Sequence, residues 1–325
     1  MKKDEWMDEL SEYEQGKRWK VTAPIAIPSY KNRKGIILQN PEAFGDAQVY
    51  VFCYDFDYTE SGYDKLNLPD NFHIVQIHPD GWRNWQQKVR WIQFWMRDHG
   101  FDMYFQLDDD ILPKWRITNA DPNDKRSTKT IPLYDALAMW QAYSDNHGLK
   151  FTTPAYNIQI PFVKTKADMT RTDVELTIGF YMSIKELESH DVWFQEDPEV
   201  YDIMFSSDLM NADIHPVMLN FICKSTMPQG TDTGGSPSSM HKVRVIKTYM
   251  RGKGHSRFKL FKNGRLGVGS CGKIDKYYNV MSKYIQGMMD NKKSYDEIFD
   301  EVSDIMYKKK PFDFDNTSTL NSFIQ

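Results

Sequence analysis

The chain has 325 residues, 40% of them hydrophobic and 26% charged, with a formal net charge of −4. A chain of that length and make-up can bury a sizeable core, so neither a disulfide framework nor a structural metal is needed for folding. Cys53, Cys223 and Cys271 show no CxxC spacing, and no run approaches about 18 apolar residues, which argues against zinc fingers, disulfide scaffolds and membrane partners and for a soluble, cytoplasmic protein.

Residues 1–20 read as a polar helical arm without an apolar signal region. The run from Ala23 to Pro28 predicts a buried strand stopped by Ser29 and Tyr30, followed by a basic loop from Lys31 to Gly35. Further strands are predicted from Gln48 to Tyr54, ending at Asp55 and Asp57, and from Phe72 to His78. Trp85, Val89, Ile92 and Met96 recur at helical spacing, so a helix is expected over 84–99 with Gly100 as its stop. Arg83, Lys88 and Arg90 flank or lie on it; an exposed helix face is expected for them, with one reaching a phosphate as the alternative. A strand from Met103 to Leu107 runs into Asp108, Asp109 and Asp110, then a helix over 135–147 and a strand over 150–153. This order predicts an α/β fold with a largely parallel sheet flanked by helices. Ligands of such sheets bind beyond the carboxyl ends of the strands, where these polar clusters fall.

The second half is less regular. A strand is expected over 174–182, a short helix over 185–190 and another helix over 201–212. A glycine-rich loop fills 227–239, strand-like pieces follow at 243–249 and 257–261, and helices at 275–290 and 295–308 precede a polar tail over 311–325. The expected organisation is an arm (1–20), a main domain (21–226), a loop with a basic segment (227–274) and C-terminal helices with a tail (275–325). Between His241 and Lys276 stand eleven Lys and Arg and one acid, Asp275. Such a block calls for an anionic partner, or else is a solvated cationic face.

The aspartate triplet is the most informative spot. Three adjacent carboxylates at a strand end repel one another unless they are solvated or meet a cation. In extended chain Asp108 and Asp110 would point to one side and Asp109 to the other. That pair suits a hard divalent cation, Mn²⁺ or Mg²⁺, with phosphate oxygens and water completing its shell. The plain alternative is a solvated acidic turn.

From these residues the chain resembles the GT-A glycosyltransferases, a Rossmann-like fold, here with a basic C-terminal extension. The stretch Ile25-Ala-Ile-Pro-Ser-Tyr30 resembles the family's first nucleotide-binding strand, and Phe105-Gln-Leu-Asp-Asp-Asp110 its DxD strand. The resemblance implies a nucleotide-sugar donor, a UDP-sugar above all, and hexosyl or pentosyl transfer. It implies a uracil- or ribose-binding role for Asp55 or Asp57. Pro28, Ser29, Tyr30, Arg33, Lys34, Arg83, Lys88, Asp108 and Asp109 are candidates around the donor, Lys31, Arg33 and Lys34 being set for its diphosphate. Tyr201-Asp-Ile-Met-Phe-Ser206 resembles the element that carries the acceptor base, although Tyr201 stands where the family has Glu. Asp202 is therefore the first candidate base, and Glu196 or Asp197 the second. His255, or His241, would complete the metal shell with Asp108 and Asp110. Tyr30 is a candidate stacking ring, and Trp82 and Trp193 are candidate sugar platforms or packed tryptophans.

The combination of IPSYKNR, LDDD, TGG and a basic C-terminal region is most similar to the TET-associated glycosyltransferases of bacteriophages. That likeness implies transfer onto hydroxymethylated pyrimidines in DNA in a host cytoplasm. Lys242, Arg244, Lys247, Arg251, Lys253 and Arg257 are then the candidate DNA-phosphate contacts. The other readings are a glycosyltransferase acting on a glycan or protein, a metal-dependent nucleotidyltransferase, and a non-catalytic DNA-binding protein. A complete P-loop, GxxxxGK followed by Ser or Thr, is missing from the sequence.

Overall fold

A computed structural model describes residues 19–29, 38, 40–78, 85–118, 128–155, 170–172, 174, 176, 179–194, 201–225, 258–260, 266–268, 287, 288, 291, 293 and 297. The chain divides into two compact units, the first built from 1–172, 176–198 and 215–235, the second from 173–175, 199–214 and 236–325. The candidate donor site belongs to the first. Among the described residues no helix is long and apolar enough to cross a membrane.

The first unit is organised by one ten-stranded sheet. Strand β1 (Ile25–Pro28) is buried throughout, as its unbroken apolar run requires. It pairs in parallel with β2 (Val49–Tyr54), which pairs in parallel with β3 (Phe72–Ile77). The chain then returns through helix α2 (Trp85–Asp98) to β4 (Met103–Gln106), which pairs in parallel with the other side of β1. A short helix α1 (Asp55–Glu60) follows β2 directly.

Beyond β4 the sheet becomes mixed. Strand β9 (Phe180–Ser183) lies antiparallel between β4 and β7 (Phe151–Ala155), and β10 (Val217–Cys223) runs parallel to β7. Strands β5 (Lys114–Thr118) and β6 (Thr128–Pro132) add an antiparallel pair at the edge, and β8 (Thr170–Thr172) pairs antiparallel with β10. The largely parallel sheet expected from the sequence is thus parallel in its β3-β2-β1-β4 half and at β7–β10, and antiparallel elsewhere.

Both faces of β2 are covered, in the two-residue alternation of a strand. Val49, Val51 and Cys53 join the main core with Phe105, Leu137 and Trp140. Tyr50 and Phe52, on the other face, meet Trp95 of α2 at ring separations of 5.1 and 5.2 Å. Helix α3 (Leu133–Asn146) supplies Trp140, whose ring meets Phe105 of β4 edge-on at 5.0 Å and whose indole N–H donates to Thr152 Oγ1 at 2.6 Å. Trp140 therefore backs the strand that carries the aspartates.

Several expected elements shift. The strand expected over 174–182 begins only at Phe180, after Gly179 at φ +106°. Asp55 and Asp57, expected at the end of the strand, lie in the first turn of α1, which follows β2 at once. Helix α4 (Ile184–His190) starts at Ser183, whose hydroxyl accepts from the Glu186 N–H at 3.2 Å as a side-chain cap. In the second unit, helix α5 (Tyr201–Asn211) matches the helix expected there, and β11 (Phe258–Leu260) and β12 (Leu266–Val268) form an antiparallel pair. The loop over 227–239, the strand over 243–249 and the two C-terminal helices lie outside the described residues or touch them at single positions.

Gly45 closes a 3-10 turn (Pro41–Phe44) at φ +55°, ψ −126°, a backbone that favours glycine. A Cβ there would sit 2.7 Å from the Tyr134 ring, whose hydroxyl donates a short hydrogen bond to Asp46. Gly45→Ala is expected to lower stability by about 1–3 kcal/mol, read as a lower denaturant midpoint with an unchanged slope.

Candidate donor site

The order β1, β2, β3 steps outward on one side of β1, and β4 falls on the other. In sheets of this kind such a reversal is where ligands bind, beyond the carboxyl ends of the strands, here β1 and β4. Ser29 leaves β1 there, and Asp108, Asp109 and Asp110 leave β4.

The acid turn is pinned at both ends. Before it, the Leu107 N–H donates to Ala26 O at 2.9 Å; after it, the Leu112 N–H donates to Ser225 O, just past β10, at 2.8 Å. Asp109 and Asp110 form a turn, so the extended chain expected across the three aspartates ends at Asp108. Asp109 is 3% exposed, while Asp108 and Asp110 are half-buried, with Asp110 Oδ1 enclosed.

Asp109 is held from β1. Ser29, fully buried, donates its hydroxyl to Asp109 Oδ2 at 3.3 Å and sits 2.6 Å from the Tyr63 hydroxyl. A serine has one proton, and here it goes to the carboxylate. Tyr63 is thereby the donor to Ser29. Burial pushes the Tyr63 phenol well above its ordinary range, which keeps that proton in place. Ser29 also extends the ladder, its N–H donating to Phe52 O at 2.8 Å.

Lys88 approaches Ser29 from α2. Its ammonium donates a short hydrogen bond to Ser29 O and lies 4.3 Å from the centre of the Tyr54 ring. It is 1% exposed, which overturns the exposed helix face expected for it. The reason is register: Lys88 stands four residues before Ile92 and eight before Met96, on the same buried stripe. Burial lowers its pKa to about 8, against the opposing pull of Asp57 and Asp109. Cys53, buried beside it, is pushed up to about 11 by burial and stays a neutral thiol.

The two acids after β2 differ. Asp57 is buried, 3% exposed, and acts on Lys88. Asp55 is more open, accepts from His78 Nδ1 at 3.0 Å and from the Phe56 N–H at 2.7 Å, and is held below its usual range chiefly by that histidine. Phe56 is the large apolar side chain that the described surface exposes, at 42%, and its ring stacks on Tyr54 at 5.1 Å.

Other candidates fall elsewhere. Pro28 ends β1. Trp193 is buried, 4.8 Å from the Phe94 ring, with its indole N–H on Asp191 at 3.1 Å, which is the packed alternative. Arg90 is half-buried on α2 near Phe94. Asp202 stands in the first turn of α5, in the second unit. Tyr30, Lys31, Arg33, Lys34, Trp82, Arg83, Glu196, Asp197, His241 and His255 lie outside the described residues, as do Lys242, Arg244, Lys247, Arg251, Lys253 and Arg257. Among the described residues no group of three or more His, Cys, Asp or Glu is gathered to hold a metal ion.

Two contributors escaped the sequence reading. Tyr63 sits in a 3-10 turn (Tyr63–Lys65) and reaches Ser29 from there. Lys224, buried, follows the end of β10 and directly precedes the Ser225 carbonyl that holds the acid turn. The signal for β10 was present as the apolar run VMLNFIC before Lys224.

No family model matches this chain, and no curated protein matches it. Among solved structures, one from Desulfovibrio desulfuricans G20, named a “putative nucleotide-diphospho-sugar transferase”, aligns with 61% of this chain and 79% of its own at 10% identity and a TM-score of 0.33. A likeness of that size fixes neither family nor activity.

Proposed function

We propose that this chain is a metal-dependent glycosyltransferase that takes a sugar from a nucleotide-sugar diphosphate. One observation carries the reading: the acid turn after β4 is hydrogen-bonded, through Asp109, to Ser29, the residue that follows β1, at the reversal point of the sheet. The donor set suits a hard divalent ion. Asp108 and Asp110 are half-buried side chains on a turn pinned at both ends, with Asp110 Oδ1 enclosed, while Asp109 is engaged by Ser29. Two carboxylates leave coordination positions for diphosphate oxygens and water. When bound, such an ion would stabilise the charge that develops on the departing diphosphate.

The chain's own residues do the rest. Asp55 is the proposed nucleoside-binding acid, being the more open of its pair, and Phe56 offers a face on which a base can stack. Lys31, Arg33 and Lys34 are the proposed diphosphate contacts. Asp202 is the proposed base that takes the acceptor proton, with Glu196 or Asp197 second. His255 is the proposed third protein ligand.

The acceptor proposed is a hydroxyl on a hydroxymethylated pyrimidine in DNA. Its support is the density of Lys and Arg between 241 and 276, which exceeds what one diphosphate needs and suits a phosphate backbone. The test is incubation with a panel of nucleotide sugars, Mn²⁺, and hydroxymethylated or plain DNA. Nucleoside mass spectrometry should find a hexose or pentose adduct on the modified base, with release of a nucleoside diphosphate. Free pyrophosphate would instead mark a nucleotidyltransferase, and transfer to glycans alone would remove DNA as the acceptor.

A further inference from the structure

Lys88 is a buried cation that sugar transfer does not by itself require. Enclosing an ammonium costs several kcal/mol unless charge and hydrogen bonds compensate. Here each compensating group comes from a different part of the site. Ser29 O directly follows β1, the Tyr54 ring ends β2, Asp57 belongs to α1, and Asp109 belongs to the turn after β4. Asp57 and Asp109 are themselves almost fully enclosed. One side chain from α2 thus ties together the strand ends on both sides of the reversal point.

We infer that Lys88 is a positioning residue: its ammonium anchors the end of β1 and offsets the buried charges of Asp57 and Asp109, so that Asp108 and Asp110 on the adjoining turn keep the geometry that receives a metal and diphosphate. The inference rests on the function proposed above. It gives Lys88 a task inside the protein instead of the phosphate contact considered from sequence.

The sign of one effect makes the inference testable. A positive charge near a metal site opposes metal binding through space. Loss of that charge alone would tighten Mn²⁺ binding, whereas loss of a positioning group loosens it. Lys88→Met should therefore raise the Mn²⁺ concentration for half-saturation, measured by calorimetry with uridine diphosphate present, by about 10–100-fold, the range for groups that orient metal ligands. Adding Asp57→Asn to that variant removes one stranded carboxylate and should recover most of the loss.

Unchanged or tighter Mn²⁺ binding in Lys88→Met overturns the inference. So does a loss that the second substitution leaves in place, because a packing defect would behave that way. If Lys88→Met alone fails to fold, a folded Lys88→Met/Asp57→Asn protein supports the charge argument and an unfolded one contradicts it. Failure of the unaltered protein to bind Mn²⁺ with uridine diphosphate is a different result: it removes the proposed function itself and this inference with it.

Discussion

Asp110→Asn is expected to abolish sugar transfer, lowering kcat/KM on the order of a thousandfold, while the protein folds normally. The loss follows from replacing one of only two charged ligands offered by the acid turn. The amide keeps the size of the side chain but brings no charge to a cation, and interactions aimed at charge developing in a transition state are worth factors of about 10²–10³ each. Stability should move the other way. Asp108, Asp109 and Asp110 are consecutive, so neutralising one relieves repulsion in the protein without metal. A melting temperature equal to or above that of the unaltered protein, beside lost transfer, is the expected pair of results. Full activity in the variant would refute the role of the turn.

Ser29→Ala is expected to harm both stability and metal binding. Its hydroxyl stands between the Tyr63 phenol and the Asp109 carboxylate, and all three groups are buried. Alanine keeps the strand ladder but strands a donor and an ionised acceptor, at a cost of about 1–3 kcal/mol. Asp109 then loses its link to β1, and its neighbours are the two proposed metal ligands. A drop in Mn²⁺ affinity of about 10–100-fold is expected, as for other groups that orient ligands from behind. Denaturant unfolding reads the first effect and Mn²⁺ titration with uridine diphosphate the second. Retention of both would mean that the Ser29–Asp109 contact does not set the turn.

These two residues show what the sequence makes legible. Strands β1 to β4 could be read because each is a short apolar run bounded by Pro, Gly or Asp, and α2 because Val89, Ile92 and Met96 repeat at helical spacing. The aspartates could be read as a strand-end cluster for the same reason. Ser29 was placed at the end of β1, but its partners lie 34 and 80 residues away, and no local pattern encodes such pairing. The charge of Lys88 favours an exposed helix face, but its position on the Ile92–Met96 stripe turns it inward. Asp55 and Asp57 were placed at the right strand, yet helix α1 starts at once and sends one acid to His78 and the other towards Lys88. The mixed half of the sheet was hidden for another reason. Strand β9 is only four residues long and enters antiparallel between β4 and β7, a topological choice made by distant pairing rather than by its own composition.

The most direct test of the account is anomalous scattering from a crystal grown with Mn²⁺ and uridine diphosphate. A single strong peak is predicted between the carboxylates of Asp108 and Asp110, at about 2.0–2.3 Å from an oxygen of each, with diphosphate oxygens on its far side. A nucleotide bound without such a peak, or a manganese ion held elsewhere while these two side chains point into bulk water, would contradict it.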